Sequence, residues 1–142
     1  MTLEPALKRL KNLGKNKRGL RATEARKEIK RIVSACASVV RAEKELTEGL
    51  ERLDELKRRG ISLEDKDVTY ALETENIMEA AEMVLRAAAL RKESRGPHLY
   101  FAHFEDLQPT ETKDPEWRKY IVIRKEKGEM KLELRQPVKL LF

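Results

Sequence analysis

Apolar side chains recur every three or four residues through three long stretches of this chain, and two of the stretches end in residues that stop a helix. The clearest stripe is formed by Leu46, Leu50, Leu53 and Leu56, with Gly60 shortly after it. These spacings put side chains on one face of an α-helix, so each stretch predicts an amphipathic helix that needs a partner. Short connections favour antiparallel neighbours. The chain is therefore expected to be mainly α, built on an antiparallel three-helix bundle.

The other two stretches define the remaining helices of the bundle. We expect the first helix to begin at Thr23, because a threonine hydroxyl is a good N-cap. The third helix is expected to begin near residues 65–67 and to run to about Arg95. Gly96 and Pro97 follow and end it, because proline cannot continue a helix. The apolar stripe of the first helix comprises Ile29, Ile32, Val33, Cys36 and Val40.

A basic segment precedes the bundle. Leucines recur at helical spacing from Leu3 to Leu13, and Gly14 is expected to end this short helix. The following residues, up to Ala22, hold two glycines and several cations and are expected to form an exposed linker. Residues 1–22 are therefore interpreted as a basic N-terminal helix and linker, ahead of the bundle at 23–96.

The last part of the chain, residues 97–142, is expected to pack on the bundle as an aromatic loop followed by a β-hairpin. Residues 97–119 look irregular and hold both histidines and four of the seven aromatic residues. Beyond them, two runs alternate apolar with polar residues on either side of Lys127 and Gly128. That alternation around a glycine-containing turn predicts the hairpin.

Composition excludes several classes of protein and site. No apolar run approaches the length of a transmembrane helix, so no direct membrane insertion is expected, and the polar start after Met1 does not resemble a secretory signal. The lone Cys36 excludes an internal disulfide, and with only His98 and His103 the ligand set of a metal site is not available. Neither GxGxxG nor a P-loop occurs. We expect no catalytic, cofactor-binding or metal-binding residue in this chain, and a cytoplasmic location.

Positive charge is concentrated at one end of the chain. Residues 1–31 carry a net charge of +8, whereas residues 32–142 carry −2. This distribution supports an alternative function, a small basic helical module that binds nucleic acid or a protein partner. No aromatic residue is interleaved with these cations, so nucleic acid is the less favoured partner. A structural bundle that dimerises is a third reading.

The densest polar cluster lies at the predicted end of the third helix, in residues 91–98 (RKESRGPH). Arg91 and Arg95 are expected one turn apart on one helix face, with Glu93 and Ser94 on adjoining faces. On chemistry alone, such arginines stabilise the negative end of the helix dipole. Segment 91–98 also resembles the arginine-x-glutamate-serine-arginine-glycine-x-histidine signature of the succinate dehydrogenase/fumarate reductase flavoprotein superfamily, in its C-terminal helical domain.

Other segments agree with this resemblance in the order in which they occur. Residues 39–46 resemble the family's join between the first two bundle helices, and residues 50–58 and 73–90 resemble its second and third helices. Residues 114–119 (DPEWRK) resemble its aspartate-x-x-tryptophan-x-lysine element, and 134–138 (LRQPV) its closing strand. One position departs from the pattern: Tyr100 stands where the family commonly has an arginine. The branch therefore stays open, since L-aspartate oxidase and the adenylylsulfate reductase flavoprotein share the helical tail.

The resemblance implies a supporting role in a larger enzyme. In such enzymes an upstream domain binds FAD and supplies the catalytic residues, and the helical domain packs against it, often near an iron–sulfur subunit. The chain by itself is then expected to lack FAD and turnover, to sit beside a flavin-binding domain or subunit, and to be peripheral to a membrane only through partner subunits. Whether it is a fragment or a separate gene product, and which substrate the enzyme uses, stay open. The residues assigned to an interface by resemblance are Arg91, Glu93, Ser94, Arg95, His98 and Trp117.

Overall fold

The structure is a computed structural model that describes residues 3–63 and 67–138. Within those residues the chain is mainly α with a C-terminal hairpin, which confirms the predicted fold class. No helix in these two ranges has the length and apolarity needed to cross a bilayer. The helices are α1 Glu4–Lys15, α2 Ala22–Cys36, α3 Glu43–Arg59 and α4 Val68–Leu90, and the strands are β1 Leu20–Arg21, β2 Val40–Ala42, β3 Ile61–Ser62, β4 Leu99–Phe101, β5 Tyr120–Glu126 and β6 Glu129–Arg135.

Helices α2, α3 and α4 pack on one another as the predicted bundle. Cross-helix contacts give their directions. Arg52 of α3 binds Glu28, near the middle of α2, whereas Gly49 of α3 lies against Cys36 at the C-terminus of α2. The order reverses along the two helices, so they are antiparallel. The core is aliphatic, and its largest fully buried apolar side chains are Ile32, Leu46, Leu53, Ile61 and Leu85.

Two predicted helix boundaries are wrong. Thr23 lies inside α2, and the N-cap position is held by Arg21 in extended conformation. Val40 does not continue the stripe of α2, because the helix ends at Cys36 and Val40 opens β2. Strand β2 pairs in parallel with β4, which comes from the segment that the sequence marked as irregular. The pairing with β4 gives hydrogen-bond partners to the backbone groups of residues 40–42, which would have bonded within α2 if that helix had continued past Cys36.

The predicted exposed linker before the bundle is also wrong in part. Helix α1 continues through Gly14 to Lys15, and the next residues fold back onto the bundle. Leu20 and Ala22 are buried, and β1 pairs in parallel with β3 directly after α3. Gly19 permits this approach, because a Cβ there would lie 2.8 Å from the carbonyl carbon of Ile61. The predicted start of the third helix covers Asp65, which lies outside the described residues, and the helix itself begins at Val68.

The hairpin is confirmed as predicted. Strands β5 and β6 pair antiparallel, and the connecting residues Lys127 and Gly128 both have positive φ angles, of 51° and 89°. Two positive φ values match the twist of a two-residue hairpin turn. The register places Ile121, Ile123, Leu132, Leu134 and Met130 on one face of the ribbon. None of the described hairpin residues is buried, so this apolar face keeps contact with solvent.

Candidate functional site

Segment 91–98 leaves the helical path earlier than its sequence predicts. Helix α4 ends at Leu90, and Arg91 takes an extended conformation. A tight turn follows, in which the backbones of Arg95 and His98 exchange two hydrogen bonds around Gly96, whose φ is 56°. The expectation that Arg91 and Arg95 lie one turn apart on a helix face is therefore wrong. The two arginines meet through a carboxylate between them.

That carboxylate belongs to Glu93, which is completely buried. Its Oε1 accepts from Arg91 Nη1 and Arg95 Nε, each at 2.7 Å. Its Oε2 accepts from the backbone N–H of Lys113 at 2.6 Å and from Arg95 Nη2 at 3.2 Å. Burial alone raises the pKa of Glu93, but the bonds from Arg95, Lys113 and Arg91 outweigh burial, so the pKa lies below its ordinary value. Glu93 is therefore an ionised acceptor with both oxygens engaged.

Arg91 extends this cluster to the chain that leads into the hairpin. Its guanidinium donates to the backbone carbonyls of Trp117 at 3.3 Å and Lys119 at 2.7 Å. The same guanidinium lies 5.6 Å from the centre of the Trp117 ring, in cation–π range. Arg95 donates in turn to Asp114. Residues 113–119 are thus held against the end of α4 by two arginines and one carboxylate.

Ser94 performs a related role on the other side of the segment. Its hydroxyl accepts from the Tyr100 backbone N–H at 3.0 Å and donates to the Tyr100 carbonyl at 3.3 Å. The Ser94 carbonyl accepts from the Thr112 hydroxyl at 2.7 Å. The Tyr100 ring is buried, and its hydroxyl donates to Glu43 at the start of α3. This residue, which departs from the family pattern, therefore connects β4 to the bundle.

His98 joins the end of α4 to strand β2. Arg41 Nη1 donates to His98 Nδ1 at 2.6 Å, because an arginine has no acceptor. His98 Nε2 then carries the proton and donates to the Arg91 carbonyl at 3.1 Å. Burial lowers the pKa of His98 and outweighs the opposing bond to the Arg91 carbonyl; the adjacent cations Arg41 and Arg91 lower the pKa further, against a smaller opposing contribution from Glu93. The native state therefore holds a neutral imidazole.

This neutral imidazole predicts a loss of stability on mild acidification. The pKa of His98 is lower in the folded chain than its unfolded value of about 6.5, so the unfolded chain binds the extra proton first. The free energy of unfolding should fall as the pH drops from 7.5 to 5.5. His98→Gln, which keeps one acceptor and one donor, should remove most of that fall in urea titrations. His103→Gln, at an exposed position, is the control and should keep the wild-type fall.

The polar side chains of the segment bind one another and nearby backbone groups. The carboxylate of Glu93, the imidazole of His98 and the hydroxyl of Ser94 are all hydrogen-bonded within the chain. Among residues 3–63 and 67–138, no group of three or more His, Cys, Asp or Glu side chains is placed to hold a metal ion. An open cleft beside α4 is lined by several paired charges, among them Lys57 with Glu82, Arg86 with Glu82, and Lys125 with Glu79.

Sequence reasoning selected six residues, and the structure brings them into two connected groups. Arg91, Glu93, Arg95 and Trp117 form the carboxylate cluster, and Ser94 and His98 bind the β2–β4 pair beside it. It missed the partners that complete these groups, which are Arg41, Tyr100, the Lys113 backbone and Asp114. Arg41 and Asp114 lie in segments that carried the resemblance, and this was the signal available for them. The Lys113 contact uses a backbone N–H, which no side-chain pattern reveals.

Comparison with protein families matches residues 26–140 to the family described as the fumarate reductase flavoprotein C-terminus. A succinate dehydrogenase flavoprotein subunit of Rickettsia bellii is 31% identical over 104 residues, covering 68% of this chain and 17% of that protein. L-aspartate oxidase 2 of Ralstonia nicotianae is 37% identical over 79 residues, covering 56% of this chain and 14% of the oxidase.

A solved structure shares the fold over almost the whole chain. The Mycobacterium smegmatis Sdh1 complex in its apo form contains a chain with a TM-score of 0.79 and 25% identity. The match covers 98% of this chain and 25% of the mycobacterial one. The sequence thus spans about a sixth of the first curated relative and a quarter of this structural relative.

Proposed function

Because this chain belongs to the fumarate reductase flavoprotein C-terminal family, we propose that it braces the flavin-binding part of a succinate dehydrogenase/fumarate reductase-type flavoprotein and is not catalytic alone. The observation that carries this proposal is the burial of Glu93, with each carboxylate oxygen bonded twice. A catalytic carboxylate must reach substrate, whereas this one connects segment 91–98 to the Lys113 backbone of its own chain. By fixing residues 113–119 against the end of α4, this cluster keeps the surface formed by these residues in one conformation, which another part of the protein can then bind.

The predicted interface residues divide by exposure within this proposal. Glu93, Ser94 and His98 are buried and support the domain from within. Arg95 keeps 35% of its side chain exposed, beside a half-exposed Asp114, and Trp117 is partly exposed. Of the six residues assigned by resemblance, Arg95 and Trp117 are the two whose side chains are best placed to touch a partner surface. We therefore assign the first three to bracing and reserve direct contact for Arg95 and Trp117.

In this proposal the cofactor and the reaction belong to the larger protein. FAD would be bound by the flavin-binding domain or subunit and not by this chain. An iron–sulfur subunit is the next partner, and any membrane association would be indirect, through those subunits. The choice among succinate, fumarate, aspartate and adenylylsulfate is assigned in this proposal to parts of the protein outside this chain, where the resemblance places the catalytic residues.

The basic-module alternative receives no support from the comparisons, and the structure weakens its physical basis. Three of the N-terminal cations are used inside the chain: Arg9 binds Glu75, Arg26 binds Glu73 and Arg31 binds Glu28. Arg26 also lies 3.5 Å from the centre of the Tyr70 ring. Cations held in this way are less available for phosphate contacts, which require release of counterions from the nucleic acid.

The test is affinity purification of the tagged chain from its native lysate, read by intact mass and visible absorption. We expect a yellow polypeptide to co-purify in one-to-one ratio, or the chain to be found as part of a longer yellow polypeptide. A colourless eluate rich in nucleic acid that dissociates steeply with salt would favour the basic module instead. Stoichiometric FAD on the lone chain would contradict the assignment of the cofactor to another part of the protein.

A further inference from the structure

A short parallel ladder joins the connection between α2 and α3 to the chain that follows α4. Strand β2 pairs with β4 over three residues each, and the Leu99 N–H donates to the Val39 carbonyl at 3.0 Å. A two-stranded ladder of this length is only marginally stable by itself, so it depends on side-chain contacts at its edge. We call β2 and β4, together with His98, the β2–β4 junction.

His98 lies at the edge of this junction, directly before β4, and is buried. Its ring stacks on the Tyr100 ring, with 6.0 Å between the two ring centres and 16° between the planes. Its Nδ1 contacts the Arg41 guanidinium of β2, and its Nε2 contacts the Arg91 carbonyl after α4. The imidazole therefore connects β2, β4 and the end of α4 at one point.

The contact with Arg41 requires a neutral imidazole. An arginine offers donors alone, so Nδ1 of His98 must accept. A proton on Nδ1 would place two N–H groups and two positive charges against each other across 2.6 Å. Two donors cannot bond each other, and like charges repel at this distance. The protonated ring and the guanidinium must therefore separate.

The charged groups nearest to His98 do not compensate for an added positive charge. Arg41 of β2 and Arg91 after α4 both oppose it. Glu93 favours it, but each oxygen of that carboxylate already accepts two hydrogen bonds. The acidic group on this side is therefore already engaged by other donors.

The acidic group beside Tyr100 is engaged as well. The Tyr100 hydroxyl donates to Glu43 at the start of α3, and Lys92 forms an ion pair with the same carboxylate at 2.9 Å. The Lys92 ammonium also lies 5.6 Å from the centre of the Tyr100 ring. This side of the junction thus adds a further cation and a carboxylate that already has two partners.

We propose that the β2–β4 junction is an acid-sensitive switch, in which protonation of His98 separates β2 from β4 while the three-helix bundle stays folded. The bundle can stay folded because the side chains of Ile32, Leu53 and Leu85 hold α2, α3 and α4 together in the core. The switch goes beyond the proposed function. It depends on contacts within this chain alone, so it can fail without affecting that function.

The loop of residues 102–112 responds to any displacement of β4. Thr110 donates twice to the Tyr100 carbonyl, from its N–H at 2.7 Å and from its hydroxyl at 2.9 Å. These bonds close the loop onto β4. The loop presents Phe104, which is half-exposed, and Leu107, which is 99% exposed. The switch therefore couples the position of these two apolar side chains to pH.

The direction of the switch follows from linkage. The pKa of His98 is lower in the closed junction than its ordinary value of about 6.5, so protons bind the open form more tightly. Opening is therefore favoured as the pH falls from 7.5 to 5.5. One histidine can shift the opening equilibrium by at most about tenfold over this range, because the open form alone gains the proton.

Hydrogen exchange of single amides in the full chain, followed by NMR at pH 7.5 and 5.5, tests the switch. The Leu99 N–H should exchange through a local opening, with less protection than the Leu53 N–H in α3 and little response to low urea concentrations. Corrected for the intrinsic rate at each pH, its protection should fall by up to about tenfold on acidification. Amides of the β5–β6 ladder should keep theirs, because their local opening leaves His98 in place.

Three variants identify the responsible contact. His98→Gln should abolish the pH response of the Leu99 amide, and His103→Gln, at an exposed position, should retain it. Arg41→Gln removes the cation and can turn its amide oxygen toward a protonated Nδ1. In that variant the pKa of His98, followed through its Cε1–H signal, should rise. His103 is the only other histidine in the sequence and serves as the internal reference.

Three results would overturn the switch. If the Leu99 and Leu53 amides have the same opening free energy and the same urea dependence at pH 5.5, the junction opens only when the whole chain unfolds. A pH response of Leu99 that is absent, or that persists in His98→Gln, would exclude the imidazole as the sensor. An unchanged pKa of His98 in Arg41→Gln would show that the contact with Arg41 does not hold the ring neutral.

Discussion

Glu93→Gln is expected to lower the free energy of unfolding by about 3 kcal/mol, at the lower end of the range for breaking a buried ion pair because Arg95 is partly exposed. The substitution is nearly isosteric but removes the charge that Arg91 and Arg95 share. It also replaces one acceptor oxygen by an NH₂ group. All four contacts of the carboxylate come from donors, so the new amide must face either an arginine or the Lys113 N–H. Urea unfolding followed by circular dichroism measures the loss.

The hairpin provides a matched control for this prediction. Glu133 accepts from Arg135 Nε at 3.1 Å and Nη2 at 2.7 Å, with the same two-residue separation as Glu93 and Arg95. That pair is exposed to solvent, where ion pairs contribute little. Glu133→Gln should therefore leave the urea midpoint unchanged. If both variants lose the same stability, the buried cluster has no special role.

Gly49→Val is expected to destabilise the bundle by about 2 to 3 kcal/mol, because it adds volume where three helices meet. A Cβ at this position of α3 would lie 2.9 Å from the Cβ of Cys36 on α2 and 3.2 Å from Leu85 Cδ2 on α4. Cβ atoms cannot approach so closely, so a helix must move. Replacing glycine in a helix ordinarily stabilises it by up to about 1 kcal/mol, and the crowding must exceed that gain. Thermal and urea unfolding measure the net effect.

A second variant separates crowding from the helix preference of valine. Glu51→Val puts the same side chain on the exposed side of α3, where its cost should be only a few tenths of a kcal/mol. Gly49→Ala should fall between the two valine variants, since it adds one carbon at the tight contact. A stabilised Gly49→Val would show that α2 and α4 can separate at no cost and would contradict the packing described.

The secondary-structure elements that depend on residue patterns within a short stretch of sequence were predicted correctly. The leucine stripe of α3 and the alternation around Lys127 and Gly128 each depend on neighbours along the chain, and both structures formed where expected. The predictions failed at segments whose hydrogen bonds come from distant residues. Leu20 and Val40 entered short parallel strands with partners about 40 and 60 residues away. No periodicity within a two- or three-residue strand could have indicated this pairing.

Residue order and local periodicity were sufficient to identify the family, the helical bundle, the hairpin and the polar segment 91–98. The contacts of that segment, in contrast, depend on how distant parts of the chain pack together. Helix α4 stops at Leu90, and the buried Glu93 carboxylate, which needs several donors to offset its desolvation, binds Arg91 and Arg95 in its own segment and the Lys113 backbone 20 residues further along. The sequence pattern of residues 91–98 indicated a charged helix end. Because Glu93 is buried, which the sequence did not reveal, these residues instead hold two parts of the chain together.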